Sequence, residues 1–520
     1  MRTVIFGADG LTFRILHPMM ERGELPNFQR LQQEGCEAVL ESKYPPLTPP
    51  AWTSLSTGVK PARHGVYDFW TYDEQRNAHV QTKRKGAKAI WNILSEYGKQ
   101  VLVLNVPVTY PPETVNGIMV SGYMTPSSDT DFTYPNSFKE ELYRIVPDYK
   151  IDLEYGNIWN HPRSEAVELL IDATLRMTER RIELMMHLLK EKPWDFCYTV
   201  FVGPDRLQHP LWQQIITLDK RATEYFRLLD HALGLVMEQL GPEDNLFVVS
   251  DHGFQGAPRL FDINEYLFSK GLFMPNYNYQ QTNARSSATF KQALKRAGLL
   301  SLARKAKKAL GRTGMVKTED SGMDHYSALS VIDWERTLAC VPSHSGFGGG
   351  YADIFLSDKL SAEGLAELTE DLKQLVDPKS GKPLVDALYT TEVLGTGPYA
   401  PTERHLIVLP SDGITFRVTL GNKRLWDEPN VVRGTHQKDG VLYAFGGGIK
   451  QGFKAPNAEI YDLVPTVLRG MGLPFPYAFD GRVLDELFTG DKPTAQTALP
   501  GENGAKSGLQ RRKLNKLLEV

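Results

Sequence analysis

Three strand-like runs in this 520-residue chain each end on side chains able to bind a divalent metal ion. TVIFGA is followed by Asp9, FCYTVFVGP by Asp205 with His209 four residues later, and NLFVVS by the adjacent pair Asp251 and His252. In an open α/β sheet, ligands bind beyond the carboxyl ends of the strands, so these three exits would deliver their carboxylates and imidazoles to one place. That donor mixture suits zinc and, less specifically, manganese or iron. Asp205-x-x-x-His209 would present both side chains on one helix face. A nucleophile candidate lies in YPPLTPPAWT (44–53). Thr48 has the chemistry of a helix N-cap, and Pro49 suits the first helical position. A hydroxyl there faces the positive end of the helix dipole, which favours its alkoxide and a bound phosphate. Contact with a metal would lower its pKa further. The plainer reading is that Thr48 only caps a helix.

The elements that must position these groups are legible as a pattern. Thr3–Phe6, Val101–Val106, Phe196–Val202 and Leu246–Ser250 are short apolar runs without alternation, as expected of strands buried on both faces of a parallel sheet. Between them, Ser164–Lys190 and Asp219–Gln239 carry apolar residues at helical spacings. This alternation predicts a doubly wound α/β core. Two stretches depart from it. Residues 110–162, rich in Pro, Asp and Tyr, form a candidate cap or loop region. Residues 266–325 form a candidate insertion, within which 266–318 contain no acidic residue. Its segment FKQALKRAGLLSLARKAKKAL is basic and amphipathic, so 285–317 could contact an anionic membrane surface or lie over a site as a lid; the plainer reading is a solvated helix face. The catalytic domain is expected over 1–490, with 491–520 as a flexible tail ending in LQRRKLNKLLEV.

Bulk properties narrow the class. The chain is 41% hydrophobic and 23% charged with a formal net charge of -3, so nothing global points to nucleic acid. Its three cysteines, Cys36, Cys197 and Cys340, are far apart and form no C-x-x-C pair, which excludes a disulfide scaffold and a thiolate zinc site. No run reaches the roughly 18 apolar residues of a membrane span, and the chain opens directly into a strand-like run, so a soluble cytoplasmic protein is expected. GFGGGYADIFL (346–356) lacks the ending of a phosphate-binding P-loop and reads as a glycine-rich turn entering a strand. His344, just before it, is an unassigned polar residue that could approach the site.

Taken together, Asp9, LTPPAWTSLSTG (47–58), PARHGV (61–66), PDRLQH (204–209) and VSDHGF (249–254) resemble the type I phosphodiesterase/nucleotide pyrophosphatase branch of the alkaline phosphatase superfamily, in particular its predicted phosphohydrolase/phosphomutase group. The resemblance implies a last histidine near the C-terminus, which GTHQKDGVLYAFG (434–446) supplies as His436. It implies two metal ions, zinc favoured and manganese tolerated. One would be held by Asp205, His209 and His436, and the other by Asp9, Asp251, His252 and the Thr48 oxygen. His64 matches a position usually filled by histidine and is taken as structural. In one respect the chain departs from the nucleotide enzymes: they carry an asparagine three residues after the nucleophile, where this sequence has Ala51 followed by Trp52. Asn105 is a candidate replacement donor.

The function implied is hydrolysis of phosphate esters, with phosphodiesters or pyrophosphates favoured, through a phospho-threonine on Thr48. The substrate would be a small phosphate ester such as a nucleotide or lipid head group. A phosphomonoesterase or phosphomutase of the same superfamily is the alternative within this chemistry, and a membrane-surface enzyme or binding protein using the basic insertion is the alternative outside it. A sulfatase is disfavoured because threonine cannot become formylglycine. Oligomeric state is not written in the sequence.

Overall fold

The computed structural model describes residues 1–44, 46–72, 78–153, 158, 160–276, 332–342, 350–418 and 424–490. The proposed membrane-contact segment 285–317, His344 and the tail 491–520 lie outside the described residues. Strand β1 (Thr3–Ala8) leads through α1 (Phe13–Glu21) and α2 (Pro26–Glu34) to β2 (Cys36–Glu41) and α3 (Thr48–Thr57). Next come β3 (Val101–Leu104), β4 (Gly117–Val120), β5 (Thr133–Tyr134) and the long helix α4 (Arg163–Glu191). The central segment continues with β6 (Phe196–Phe201), α5 (Gly203–Ile216), α6 (Glu224–Met237), β7 (Asn245–Val249), β8 (Gly253–Gly256) and β9 (Arg259–Asp262). A run of small-sheet strands follows: β10 (Ala339–Cys340), β11 (Ala352–Leu356), β12 (Val385–Thr390), β13 (Arg404–Pro410), β14 (Ile414–Arg417) and β15 (Trp426–Asp427). The chain then returns to the core with β16 (Gly434–Gln437), β17 (Asp439–Gly446), β18 (Phe453–Lys454), β19 (Ala458–Glu459) and α7 (Leu463–Gly470).

The central sheet runs β18-β2-β17-β7-β1-β6-β3-β4-β5, with β19 also pairing β2. The five strands from β7 to β4 are mutually parallel, and β17 and β5 run against their neighbours. Successive side chains of these strands enter opposite layers. Val4, Phe6 and Ala8 of β1 join one apolar cluster and Ile5 the other; Leu246 and Val248 of β7 likewise oppose Phe247 and Val249. Helices α1, α2, α4, α5 and α6 cover the first face, while α3 and α7 cover the second. Burial on both sides explains why the strands read as unbroken apolar runs. The result is the doubly wound, mostly parallel sheet flanked by helices that the sequence predicts.

Two features were not predicted in this form. The stretch 110–162, read as a cap or loop region, contributes β4 and β5 to the far edge of the central sheet, with Gly117–Val120 aligned on Val101–Leu104. Beyond β8, strands β14-β9-β15 and β10-β11-β13-β12 form two small sheets. Phe261, Leu267, Ile354, Leu372, Leu406 and Phe416 build a separate apolar cluster beneath them.

Candidate metal centre

All three strand exits open on the same edge of the sheet. Strands β1 and β6 are in register from Thr3↔Phe196 to Ala8↔Phe201, and β1 and β7 from Thr3↔Asn245 to Gly7↔Val249. Asp9, Asp205 and Asp251–His252 therefore leave at one level, and the Asp205 amide donates to the Asp9 carbonyl (3.0 Å). His436 arrives from the other side: β16 pairs antiparallel with β8, placing His436 opposite Phe254. Phe254 is fully buried against His209, His252 and His436, with ring centroids 4.8, 6.0 and 5.3 Å away. Gly10 makes this packing feasible. Its φ is +68°, and a Cβ there would lie 2.8 Å from the Phe254 ring and 3.4 Å from His252.

Two groups of donors face one another in this space. Asp205 Oδ2 lies 3.1 Å from both His209 Nε2 and His436 Nε2, and the two nitrogens are 3.2 Å apart. These separations approach the roughly 3.3 Å edge expected of a tetrahedron with metal–ligand bonds of about 2.0 Å. Beside them, His252 Nε2 lies 3.2 Å from Asp251 Oδ2 and 3.6 Å from Asp9 Oδ1. His252 also belongs to a second donor set with Asp205 and His436, all within 4.8 Å of one another, and its ring stacks on His436 at 3.6 Å. The two groups are thus adjacent.

Outer partners fix the tautomers. Nδ1–H of His209 donates to Gly434 O (3.0 Å), that of His252 to Gly253 O (3.1 Å) and that of His436 to Pro46 O (2.9 Å). A neutral imidazole held in this way turns its Nε2 lone pair into the cluster, the arrangement that tunes it for a metal. Asp9 accepts from Trp52 Nε1–H through Oδ2 (3.0 Å), and Asp251 accepts from Gly10 N–H through Oδ1 (3.1 Å). The atoms left over, Asp9 Oδ1, Asp251 Oδ2 and His252 Nε2, are buried and have no hydrogen-bond partner. Three buried acceptors facing one another are costly unless a cation satisfies them, so these residues fit a metal ion, as the near-tetrahedral spacing of Asp205, His209 and His436 does beside them.

The electrostatics agree. Burial, reinforced by the Asp205 charge, holds the Asp9 carboxyl well above the usual carboxylate range, and burial with Asp9 beside it does the same to Asp251. Burial opposes ionisation of Asp205 as well, but His209 and His436 outweigh it and hold that carboxyl well below the usual range. Burial and the neighbouring His436 push His252 down, and burial pushes His436 down. Without a cation the cluster resists carrying its full negative charge, and a divalent ion reverses that balance.

The candidate nucleophile is buried at the start of α3, one place away from the expected position. Leu47 is the N-cap and Thr48 the first helical residue, so Pro49 occupies the second. Proline tolerates both positions because early helical N–H groups lack intrahelical partners. Thr48 is bracketed by the cluster's own contacts: the Pro46 carbonyl holds His436, and the Trp52 indole holds Asp9. Trp52 reaches Asp9 by lying across β1 at Gly7, where a Cβ would meet the indole at 2.6 Å. Ala51 is buried in the core, and Asn105 Nδ2 donates to the Tyr149 hydroxyl (2.5 Å). His64 is fully buried, accepts from Val66 N–H at Nδ1 and donates from Nε2 to Ser54 Oγ, in keeping with a structural role. Trp52, Gly10 and Phe254 support the site in roles that the sequence analysis did not assign, although Trp52 and Phe254 stand within the motifs LTPPAWTSLSTG and VSDHGF.

Comparisons with known proteins bear on the family and the fold. Rat and mouse ectonucleotide pyrophosphatase/phosphodiesterase family member 1 are each 27% identical over 278 residues, covering 51% of this chain. That match spans only 25% of those relatives' own length. Human ectonucleotide pyrophosphatase/phosphodiesterase 5 superposes with a TM-score of 0.53 at 12% identity, covering 94% of this chain and all of that one. The murine form of that protein, an inactive threonine-to-alanine variant in complex with AMP, gives the same values. Phosphonoacetate hydrolase from Sinorhizobium meliloti superposes with a TM-score of 0.51 at 15% identity over 89% of this chain and 93% of that one. At these identities the structural likenesses establish a shared fold. The sequence pattern of type I phosphodiesterase/nucleotide pyrophosphatase matches residues 3–326, and the chain belongs to that family, within the alkaline phosphatase superfamily.

Proposed function

We propose that the protein is a two-metal phosphohydrolase that cleaves phosphodiester or pyrophosphate bonds, with Thr48 as nucleophile. The observation that carries this reading is the convergence of two adjacent donor groups, one of them buried with inward acceptors that lack protein partners, beside the N-terminus of the Thr48 helix. Asp205, His209 and His436 are assigned to one ion, and Asp9, Asp251, His252 and Thr48 Oγ1 to the other. The all-oxygen-and-nitrogen donor set favours zinc. Two divalent cations so held would neutralise charge developing on the phosphoryl oxygens and favour ionisation of the Thr48 hydroxyl.

The chain's own residues account for the rest. The Thr48 hydroxyl gives up its proton to solvent as Oγ1 bonds to phosphorus and the bond to the leaving oxygen breaks. Water then splits the phospho-threonine, returning the hydroxyl and releasing the second product. Positioning comes from α3, which Trp52 and Pro46 tie to both donor groups. The murine relative's complex with AMP supports a nucleotide-type small molecule as ligand. Ala51 supports a second reading, a phosphomonoesterase, because the donor that nucleotide enzymes place there is missing. The test is acid quench of the metal-loaded protein during turnover of bis-p-nitrophenyl phosphate, followed by peptide mass spectrometry. A phosphoryl adduct on Thr48 is expected, and an adduct on any other residue contradicts the assignment.

A further inference from the structure

The sheet formed by β10, β11, β13 and β12 turns one face to its own core and the other to the loop that presents α3. Ile354, Leu406 and Val408 enter the cluster beneath the small sheets, whereas Tyr351, Ile407 and Leu409 pack with Tyr44 and Leu47. Asp353 is aligned with Ile407 and so shares this second face. Its carboxylate is held at both oxygens. Oδ2 accepts from the Tyr44 hydroxyl (2.9 Å), and Oδ1 accepts from His405 Nδ1–H (2.8 Å). Tyr44 is buried, and burial together with the Asp353 charge pushes its pKa up, so the hydroxyl keeps its proton and donates. A carboxylate beside an apolar contact is costly unless it is bonded, and a charge-assisted bond to a buried tyrosine fixes direction as well as distance. The loop held in this way carries the groups nearest the chemistry. The Pro46 carbonyl accepts from His436 Nδ1–H (2.9 Å), Leu47 is the N-cap of α3, and Thr48 comes next. The Tyr44 carbonyl is anchored too, accepting from the Tyr461 hydroxyl (3.3 Å).

Resting on the hydrolase reading above, we propose that Asp353 and His405, acting through Tyr44, are positioning residues that set where the Thr48 hydroxyl stands against the metal centre. Neither belongs to a donor group, and their effect passes along the backbone from Tyr44 to Thr48. His405 holds Asp353 in the orientation that the Tyr44 hydroxyl meets. A misplacement of about 1 Å at a reacting group costs on the order of 100-fold in rate, so loosening this loop lowers kcat while substrate binding and the metal donors stay as they are. The small-sheet region is thereby coupled to the nucleophile through one side-chain relay.

The test measures kcat and KM for bis-p-nitrophenyl phosphate with metal-loaded wild type, Tyr44→Phe, Asp353→Ala and their double variant, with metal content and thermal unfolding determined for each. The single variants are expected to lose roughly 5- to 50-fold in kcat, with KM within about twofold and metal content unchanged. Both remove the same hydrogen bond, so the double variant is expected to lose no more than about the larger single loss. His405→Gln keeps an N–H donor for Asp353 and is expected to retain more of kcat than His405→Leu. Unchanged kcat in the single variants would reduce the contact to packing and overturn the proposal, while leaving the hydrolase reading standing. Losses that multiply in the double variant, or that follow loss of metal, would overturn it as well. Should Asp353→Ala fail to fold, Tyr44→Phe, which removes a single oxygen, decides the matter alone. A loaded wild type that cleaves no phosphate ester overturns the hydrolase reading and the relay with it.

Discussion

At the scale of single residues, the donors and the groups that aim them carry different signals. Asp9, Asp205, His209, Asp251 and His252 are legible because each follows an apolar run, and a parallel sheet brings such exits together. His436 is recognisable only by resemblance, since it arrives on β16 through pairing with β8 and not at the end of a core strand. Trp52 lies inside the motif LTPPAWTSLSTG, but nothing in the sequence assigns it a role at the site. Its indole reaches Asp9 only because α3 packs over β1 at Gly7, a contact that spacing along the chain cannot express. The consequence is testable. Trp52→Phe keeps most of the packing but removes the N–H that orients Asp9, and outer-shell losses of this kind typically cost about 10- to 100-fold in metal affinity or activity. Metal titration followed by calorimetry is expected to show that weakening with near-normal circular dichroism. Unchanged affinity would mean that the Asp9 carboxylate is positioned without Trp52.

At the scale of elements, strands buried on both faces announced themselves, whereas β4 did not. Gly117–Val120 is only four residues long and is embedded among prolines, aspartates and tyrosines, so its local composition resembles a loop although tertiary pairing with β3 makes it a strand. The start of α3 was misplaced by one residue for a related reason. Thr48 and the prolines after it suit several early helical positions, and only the backbone distinguishes them. The link between α3 and the following loop depends on His64, buried without charge between Ser54 and Val66. Burial, with Arg84 nearby, pushes its pKa down from 6.5 to about 3. A folded-state value below the unfolded one means that the unfolded chain binds the extra proton first. Stability from this group is therefore complete above pH 6.5 and is lost as pH falls toward 3, by at most about 1.4 kcal/mol per pH unit. Urea unfolding between pH 4 and 7 is expected to give a shallower slope for His64→Gln than for the wild type. Equal slopes would show that His64 does not contribute to acid sensitivity.

At the scale of the whole molecule, the candidate metal centre rests on the central sheet, while the small-sheet region has its own apolar cluster and reaches the site where Tyr351, Ile407 and Leu409 pack with Tyr44 and Leu47 ahead of α3. The Pro46 carbonyl and the Trp52 indole tie one helix to both donor groups, which makes Thr48 the point where the metal centre and the substrate would meet. The measurement that tests this claim most directly is kcat/KM of the zinc-loaded protein for bis-p-nitrophenyl phosphate beside that of Thr48→Ala, with the metal content of both determined. The expected result is about two metal ions per chain in each protein and a loss of activity in the variant of about 10³-fold or more. A fully loaded Thr48→Ala protein with near-wild-type activity would contradict it, and the nucleophile would then have to be sought elsewhere than on α3.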